Sequence, residues 1–115
     1  MIIWLTGCTS GLGRALVPEF VKAGDTVVGC GRNEIALQHL RDEFPTCFFL
    51  AADVSSDKSA GEFCDEALIA AGTPDLLINN AAIINDPMPL WEIPAEEFDE
   101  LTSTNINGVA NILRH

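Results

Sequence analysis

The feature of this sequence that most constrains its fold is a glycine-rich turn placed directly after the first apolar run. Ile2–Thr6 is aliphatic and β-branched, as expected of a buried strand, and Gly7, Gly11 and Gly13 follow it in the spacing Gly-x-x-x-Gly-x-Gly. Glycine permits both a tight turn and a close approach between a helix and a strand. A strand that passes through such a turn into a helix predicts a βαβ unit, and therefore a parallel sheet.

Short apolar runs alternate with longer segments of helical period along the rest of the chain. Further strands are predicted at Thr26–Cys30, Cys47–Ala52 and Leu76–Asn79. Helices are predicted from the glycine turn to Gly24, from the cap residue Asn33 to Pro45, over residues 56–71, and from about Glu96 onward. This order predicts half of a doubly wound α/β fold, in which ligands bind beyond the carboxyl ends of the strands.

The first predicted helix carries apolar residues at a spacing of four. Leu12, Leu16 and Phe20 recur in this way, which predicts that they pack on the sheet. Pro18 lies inside the same segment, and because an interior proline removes a backbone hydrogen bond, we expect a kink there.

The charge distribution argues against a nucleic-acid partner. The chain of 115 residues carries six Lys and Arg against seventeen Asp and Glu, too few cations for a phosphate-binding cluster. Residues 1–52 hold five acids and four bases, whereas residues 53–100 hold twelve acids and one base. An anionic ligand therefore meets the least repulsion in the first half of the chain.

The cysteines and the apolar runs indicate the compartment. Cys8, Cys30, Cys47 and Cys64 show no C-x-x-C spacing, so we predict buried thiols in a reducing environment and no metal site. No run is long enough to cross a membrane, and the first residues carry no secretory leader pattern. A cytoplasmic location without membrane attachment is expected.

The glycine turn also has the chemistry of an anion site. A surface without Cβ atoms lets a pyrophosphate reach the backbone N–H groups at the start of a helix. The turn lacks the Gly-Lys-Ser/Thr ending of a P-loop, which argues against an ATPase. A glycine-rich loop without any ligand is the alternative interpretation.

Four motifs in order resemble the short-chain dehydrogenases/reductases of the standard subtype. They are Thr6-Gly7-Cys8-Thr9-Ser10-Gly11-Leu12-Gly13, Asp53-Val54, Asn79-Asn80-Ala81-Ala82 and Asn105-Ile106-Asn107-Gly108. The resemblance covers the whole chain and implies the first half of a Rossmann-like sheet, with strand order 3-2-1-4 and helices on both faces. Residues 1–115 would then form a single, partial NAD(P)-binding domain.

The same resemblance implies roles for individual residues. The pyrophosphate and the adenosine ribose would be held by Gly7, Cys8, Thr9, Ser10, Gly11, Leu12 and Gly13. Asp53 and Val54 would border the adenine, Asn80 and Ala81 would lie along the nicotinamide ribose, and Asn105 matches the catalytic asparagine that supports a bound water. Taken singly, Asp53 is better interpreted as a turn cap and the asparagines as partners of loop backbone or surface residues.

The end of the second strand indicates which dinucleotide is preferred. NAD-binding members of the family place an acid about where Gly31 stands, to bond the ribose 2′-OH. Here Arg32 follows instead, and its guanidinium suits a phosphate. We therefore predict NADP(H) in preference to NAD(H), against the alternative that Arg32 is a solvated residue at a helix start.

The family's catalytic serine, tyrosine and lysine lie beyond the helix on which this sequence ends, and the chain contains no tyrosine. Two hypotheses follow. The chain is the N-terminal half of an NADP(H)-dependent oxidoreductase that acts on a carbonyl or alcohol, inactive by itself, or it is a non-catalytic nucleotide-binding or interaction module. An exposed fourth strand and last helix predict self-association through residues 76–79 or 95–113.

Overall fold

The computed structural model describes all residues, 1–115, and its four strands form one parallel sheet. The strands are β1 (Ile2–Thr6), β2 (Thr26–Gly31), β3 (Phe48–Ala51) and β4 (Leu76–Ile78). They lie in the order β3-β2-β1-β4, so the predicted strand order is confirmed and β4 is an edge. The central strand β1 pairs with β2 along its whole length and with β4 over a shorter stretch.

Helices cover both faces of the sheet, as predicted. They are α1 (Gly11–Lys22), α2 (Glu34–Glu43), α3 (Asp57–Ala71), α4 (Ala95–Thr102) and α5 (Gly108–Arg114). On one face, α1 and α2 bury Val17, Leu37 and Leu40 against the sheet. On the other, α3 and α5 bury side chains such as Phe63 and Ile112. No helix combines the length and the apolar character that a membrane crossing requires.

The orientation of α1 matches the prediction for Leu16 and Phe20, which pack against the buried core, and differs from it for Leu12. Leu12 is 67% exposed, and the residues that this helix buries are Gly13 and Val17. Leu12 is turned outward because the first turn of the helix places Gly13 on its inner face, against the glycine turn. Pro18 lies within α1, which runs through it as one helix.

The last predicted helix consists of α4, a π-helical turn and α5. A π-helical turn at Ser103–Asn107 separates α4 from α5, and a short 3₁₀ turn at Leu90–Glu92 precedes them. Single π-helical turns often occur at functional sites. Here the turn contains Asn105.

All four cysteines are buried and unpaired, as expected. Burial raises the pKa of the Cys8 and Cys30 thiols to about 12, and it also raises the pKa of Cys64. Thiols in this state remain protonated at neutral pH and act as small apolar side chains.

Candidate functional site

A cleft of about 290 Å³ opens at the carboxyl ends of the strands. Most of the residues predicted from the motifs line it, and these are Gly7, Thr9, Ser10, Gly11, Leu12, Arg32, Asp53, Val54, Asn80 and Ala81. The cleft therefore lies where doubly wound sheets bind their ligands, beside the central first strand.

The glycine turn forms one wall of the cleft with bare backbone. Gly7 and Gly11 have φ angles of +68° and +54°, a conformation that favours glycine. No atom lies within 4 Å of where a Cβ of Gly11 would stand, so the backbone there is open to a ligand. A Cβ on Gly13, in contrast, would lie 2.1 Å from the carbonyl oxygen of Gly7, so Gly13 permits the close approach of α1 to the turn.

The N-terminus of α1 is free of side-chain caps and of negative charge. Ser10 makes no capping hydrogen bond, and no acid stands in the first turn. The next two helices differ, because Asn33 caps α2 and Ser56 caps α3, and each has an acid in its first turn. An uncapped N-terminus with open N–H groups and a positive helix dipole is suited to bind a phosphate.

A hydrogen-bond network joins the end of β1 to the loop after β4. The Thr6 hydroxyl oxygen accepts from the backbone N–H groups of Asn80 and Ala81, each at 3.0 Å. The Asn80 amide nitrogen donates to the carbonyl oxygens of Thr6 at 3.1 Å and Gly7 at 3.0 Å. Both amide hydrogens of Asn80 are thus used to hold the glycine turn against this loop.

Asp53 and Val54 form the wall of the cleft that directly follows the end of β3. One carboxylate oxygen of Asp53 accepts from the backbone N–H and the hydroxyl of Ser55, at 3.0 and 2.7 Å. The Asp53 N–H donates to the Ser59 hydroxyl at 3.0 Å. Val54 is buried, and a Cβ on Gly108 would come within 2.7 Å of its side chain, so α5 crosses close behind this wall.

Arg32 is the one cationic side chain of the protein without a carboxylate partner. Each of the other five Lys and Arg side chains lies within 3.7 Å of an Asp or Glu oxygen. Arg32 is exposed at the end of β2 and lines the cleft. Asp53 lines the same cleft, but no carboxylate oxygen lies within ion-pair distance of the guanidinium, which leaves it available to an anionic group there.

Three residues predicted for the site stand behind the cleft rather than in its lining. Cys8 is buried, and its backbone N–H donates to the carbonyl oxygen of Cys30 at 3.0 Å. Gly13 is buried under the glycine turn. The Asn105 side chain accepts from the Ile83 N–H and donates to the Ile83 carbonyl oxygen, both at 2.9 Å. On this geometry these residues support the residues that line the cleft.

Four further residues line the cleft that the motifs did not indicate, namely Cys30 and Ala52 at the ends of predicted strands, Ile83 and Thr104. Ile83 directly follows the Asn-Asn-Ala-Ala motif, and its position next to that motif is a signal that could have found it. Thr104 comes from the π-helical turn and has no such signal, because only the fold brings this turn to the cleft.

The fold defines a Rossmann-type α/β class of protein, and comparisons with known proteins agree. The family model described as short chain dehydrogenase matches residues 1–115. The chain is 42% identical over 116 residues to the NADPH-dependent pterin aldehyde reductase of Arabidopsis thaliana, covering 98% of this chain and 48% of that protein. It is 34% identical to the serine 3-dehydrogenase of Rhizobium radiobacter, covering 98% and 46%.

A solved structure extends the similarity to three dimensions. The 3-ketoacyl-(acyl-carrier-protein) reductase from Brucella melitensis, complexed with NADH, superposes with a TM-score of 0.94 at 30% identity, over 98% of this chain and 47% of that one. The chain therefore belongs to the short-chain dehydrogenase/reductase family, as the motifs indicated. It spans about half the length of the curated relatives it matches.

Proposed function

We propose that this chain forms the cofactor-binding part of an NADP(H)-dependent oxidoreductase that acts on a carbonyl or alcohol substrate. The observation that carries the proposal is Arg32, which has no ion-pair partner and stands beside a glycine at the end of β2. When bound, the nicotinamide would accept or donate a hydride. The residues of this chain would bind and orient the dinucleotide.

The glycine turn and α1 fit the pyrophosphate. Gly11 leaves open space over its backbone, and α1 begins with neither a cap nor an acid. Thr9, Ser10 and Leu12 would complete this contact, since they line the same wall. Backbone N–H groups at a helix N-terminus bind such anions without a charged side chain.

Arg32 would hold the 2′-phosphate that distinguishes NADP(H) from NAD(H). No acid stands at Gly31 to bond a ribose 2′-OH or to repel a phosphate. The Arabidopsis relative is named as NADPH-dependent, whereas the Brucella structure contains NADH, so both cofactors occur among similar proteins. The preference proposed for this chain therefore depends on its own Arg32.

The remaining lining residues would enclose the other parts of the cofactor. Asp53 and Val54 would border the adenine, because they form the wall that directly follows the end of β3. Asn80 and Ala81 would face the nicotinamide ribose, because they follow β4, which lies at the other edge of the sheet from β3. Asn105 would act as a positioning residue that holds the backbone of Ile83.

Removal of the Arg32 charge tests this proposal. Charge-assisted hydrogen bonds contribute about 1.5–3 kcal/mol, so Arg32→Ala should weaken NADPH binding by roughly 10- to 100-fold and NADH binding by less than about threefold. Isothermal titration calorimetry on the 115-residue chain measures both affinities. Lys58→Ala is the matched control, because it removes the same charge from an exposed residue outside the cleft.

Equal losses for both cofactors in Arg32→Ala would contradict the NADP(H) assignment. Carbonyl reduction should stay at background in the same samples, because the family's tyrosine is absent from this chain. Turnover by the chain alone would refute that expectation.

A further inference from the structure

The glycine at the end of β2 is not required by its backbone conformation. Four glycines of the chain have positive φ angles, namely Gly7, Gly11, Gly24 and Gly72, and Gly31 is not among them. Gly31 is a regular strand residue, paired with Ala51 of β3. Any residue could adopt this backbone, so the space around Gly31 decides which side chains the position accepts.

That space is filled by Thr9 of the glycine turn. A Cβ on Gly31 would lie 2.7 Å from Cγ2 and 3.2 Å from Oγ1 of Thr9, and the first distance is too short for a real contact. Threonine has two heavy γ atoms distributed over three staggered positions. In two of the three χ1 rotamers of Thr9, therefore, either Cγ2 or Oγ1 occupies the position that clashes with a Cβ on Gly31. Rotation about χ1 relieves the clash in the remaining rotamer only.

We propose that Thr9 is a specificity-determining residue, which excludes a side chain at position 31 and so keeps an acid from the ribose end of the cleft. An acid in this place is what recognises the 2′-OH of NAD(H). Thr9, Gly31 and Arg32 all line the same cleft. Exclusion of the acid leaves Arg32 as the only charged group at the end of β2. This inference rests on the proposed NADP(H) function.

A double-mutant cycle on the full 115-residue chain tests the inference, with NADH as the probe. Gly31→Asp alone should tighten NADH binding by less than about threefold, because the new side chain must first displace Thr9. Gly31→Asp combined with Thr9→Ala should bind NADH about tenfold tighter than the two single variants predict together, a coupling typical of residues in contact. The individual effect of Thr9→Ala cancels in the cycle.

Thr9→Val is the matched control for the steric claim. Valine keeps both heavy γ atoms and loses only the hydroxyl, so Gly31→Asp should show no NADH gain beyond additivity in this background. A gain equal to that in the Thr9→Ala background would overturn the proposal. A tenfold gain from Gly31→Asp alone would overturn it as well.

Unfolding by urea supplies a readout that needs no cofactor. Gly31→Ala should lower the urea midpoint of the original chain and of Thr9→Val, but not that of Thr9→Ala. If the original chain binds neither cofactor, the proposed function fails, and the urea cycle still decides whether Thr9 excludes the side chain. If NADPH binds and both cycles are additive, the inference about Thr9 fails while the proposed function stands.

Discussion

The hydrogen bonds between Asn105 and Ile83 lead to the most direct prediction from this structure. The Asn105 amide satisfies both the N–H and the carbonyl oxygen of Ile83, each at 2.9 Å, and both residues are half-buried. Asn105→Ala removes both bonds at once. The backbone of the loop after β4 then loses its only side-chain hydrogen bonds with the π-helical turn.

The size of the effect follows from these two bonds. An intramolecular hydrogen bond contributes about 0.5–1.5 kcal/mol net, so the loss of two should lower the free energy of unfolding by about 2 kcal/mol. For a chain of this length, the midpoint of thermal unfolding should fall by about 8 °C. Because Ile83 lines the cleft, NADPH affinity should fall as well.

Urea and thermal unfolding followed by circular dichroism measure this loss. Asn107→Ala is the matched control, since Asn107 lies in the same π-helical turn, is exposed and forms no side-chain hydrogen bond. It should change the free energy of unfolding by less than about 0.5 kcal/mol. An Asn105→Ala variant as stable as Asn107→Ala would refute the claim that Asn105 holds the loop.

Three further predictions concern packing, pH and association. Gly13→Ala should cost more than about 3 kcal/mol of stability, measured by urea unfolding, because its Cβ meets backbone rather than a movable side chain. Hydrogen bonds from His115 and Arg114 lower the pKa of Asp57. The stability that these bonds contribute is present above the ordinary carboxyl pKa of 3.8 and is lost as the pH falls below that value. Unfolding at pH 5 and pH 3 should show a smaller acid loss in Asp57→Asn, and equal losses would contradict this. Exposed apolar residues on α4 and α5, together with the β4 edge, predict that the chain forms at least a dimer, which light scattering can detect. Leu113→Lys should weaken this association. A monodisperse monomer of the original chain would refute the prediction.

Local sequence signals predicted the elements of this fold well, for identifiable reasons. The strands are short aliphatic runs, and Asn33 caps α2 by accepting the Ala36 N–H at 3.1 Å, a local contact that sequence spacing encodes. The prediction for Leu12 was wrong because the first turn of α1 places Gly13, which adds nothing to an apolar pattern, on the inner face. Gly13 nevertheless faces inward, since only a residue without Cβ fits against the Gly7 carbonyl.

The sequence motifs predicted most of the residues that line the candidate site, but not the contacts that hold them in place. Gly7 to Leu12, apart from Cys8, and the pairs Asp53-Val54 and Asn80-Ala81 meet at one cleft because parallel strands end on the same edge of the sheet. Sequence spacing cannot indicate that Asn105 bonds Ile83, which lies 22 residues away. It also gives no sign of the π-helical turn that brings Thr104 to the cleft.

The sequence by itself determined the family, the strand order and the near-neutral charge of the first half, because these depend on residue identity and on local order along the chain. The tertiary structure decided which charged side chains lack an ion-pair partner and which positions lack room for a side chain. Arg32 is available because no Asp or Glu oxygen lies within ion-pair distance of it in the folded chain, whereas every other Lys and Arg has such a partner. Gly31 is constrained because folding places Thr9 over it. The contact of Thr9 with Gly31 and the ion pairs of Arg14 and Arg114 join residues far apart in the chain, at distances that only packing sets.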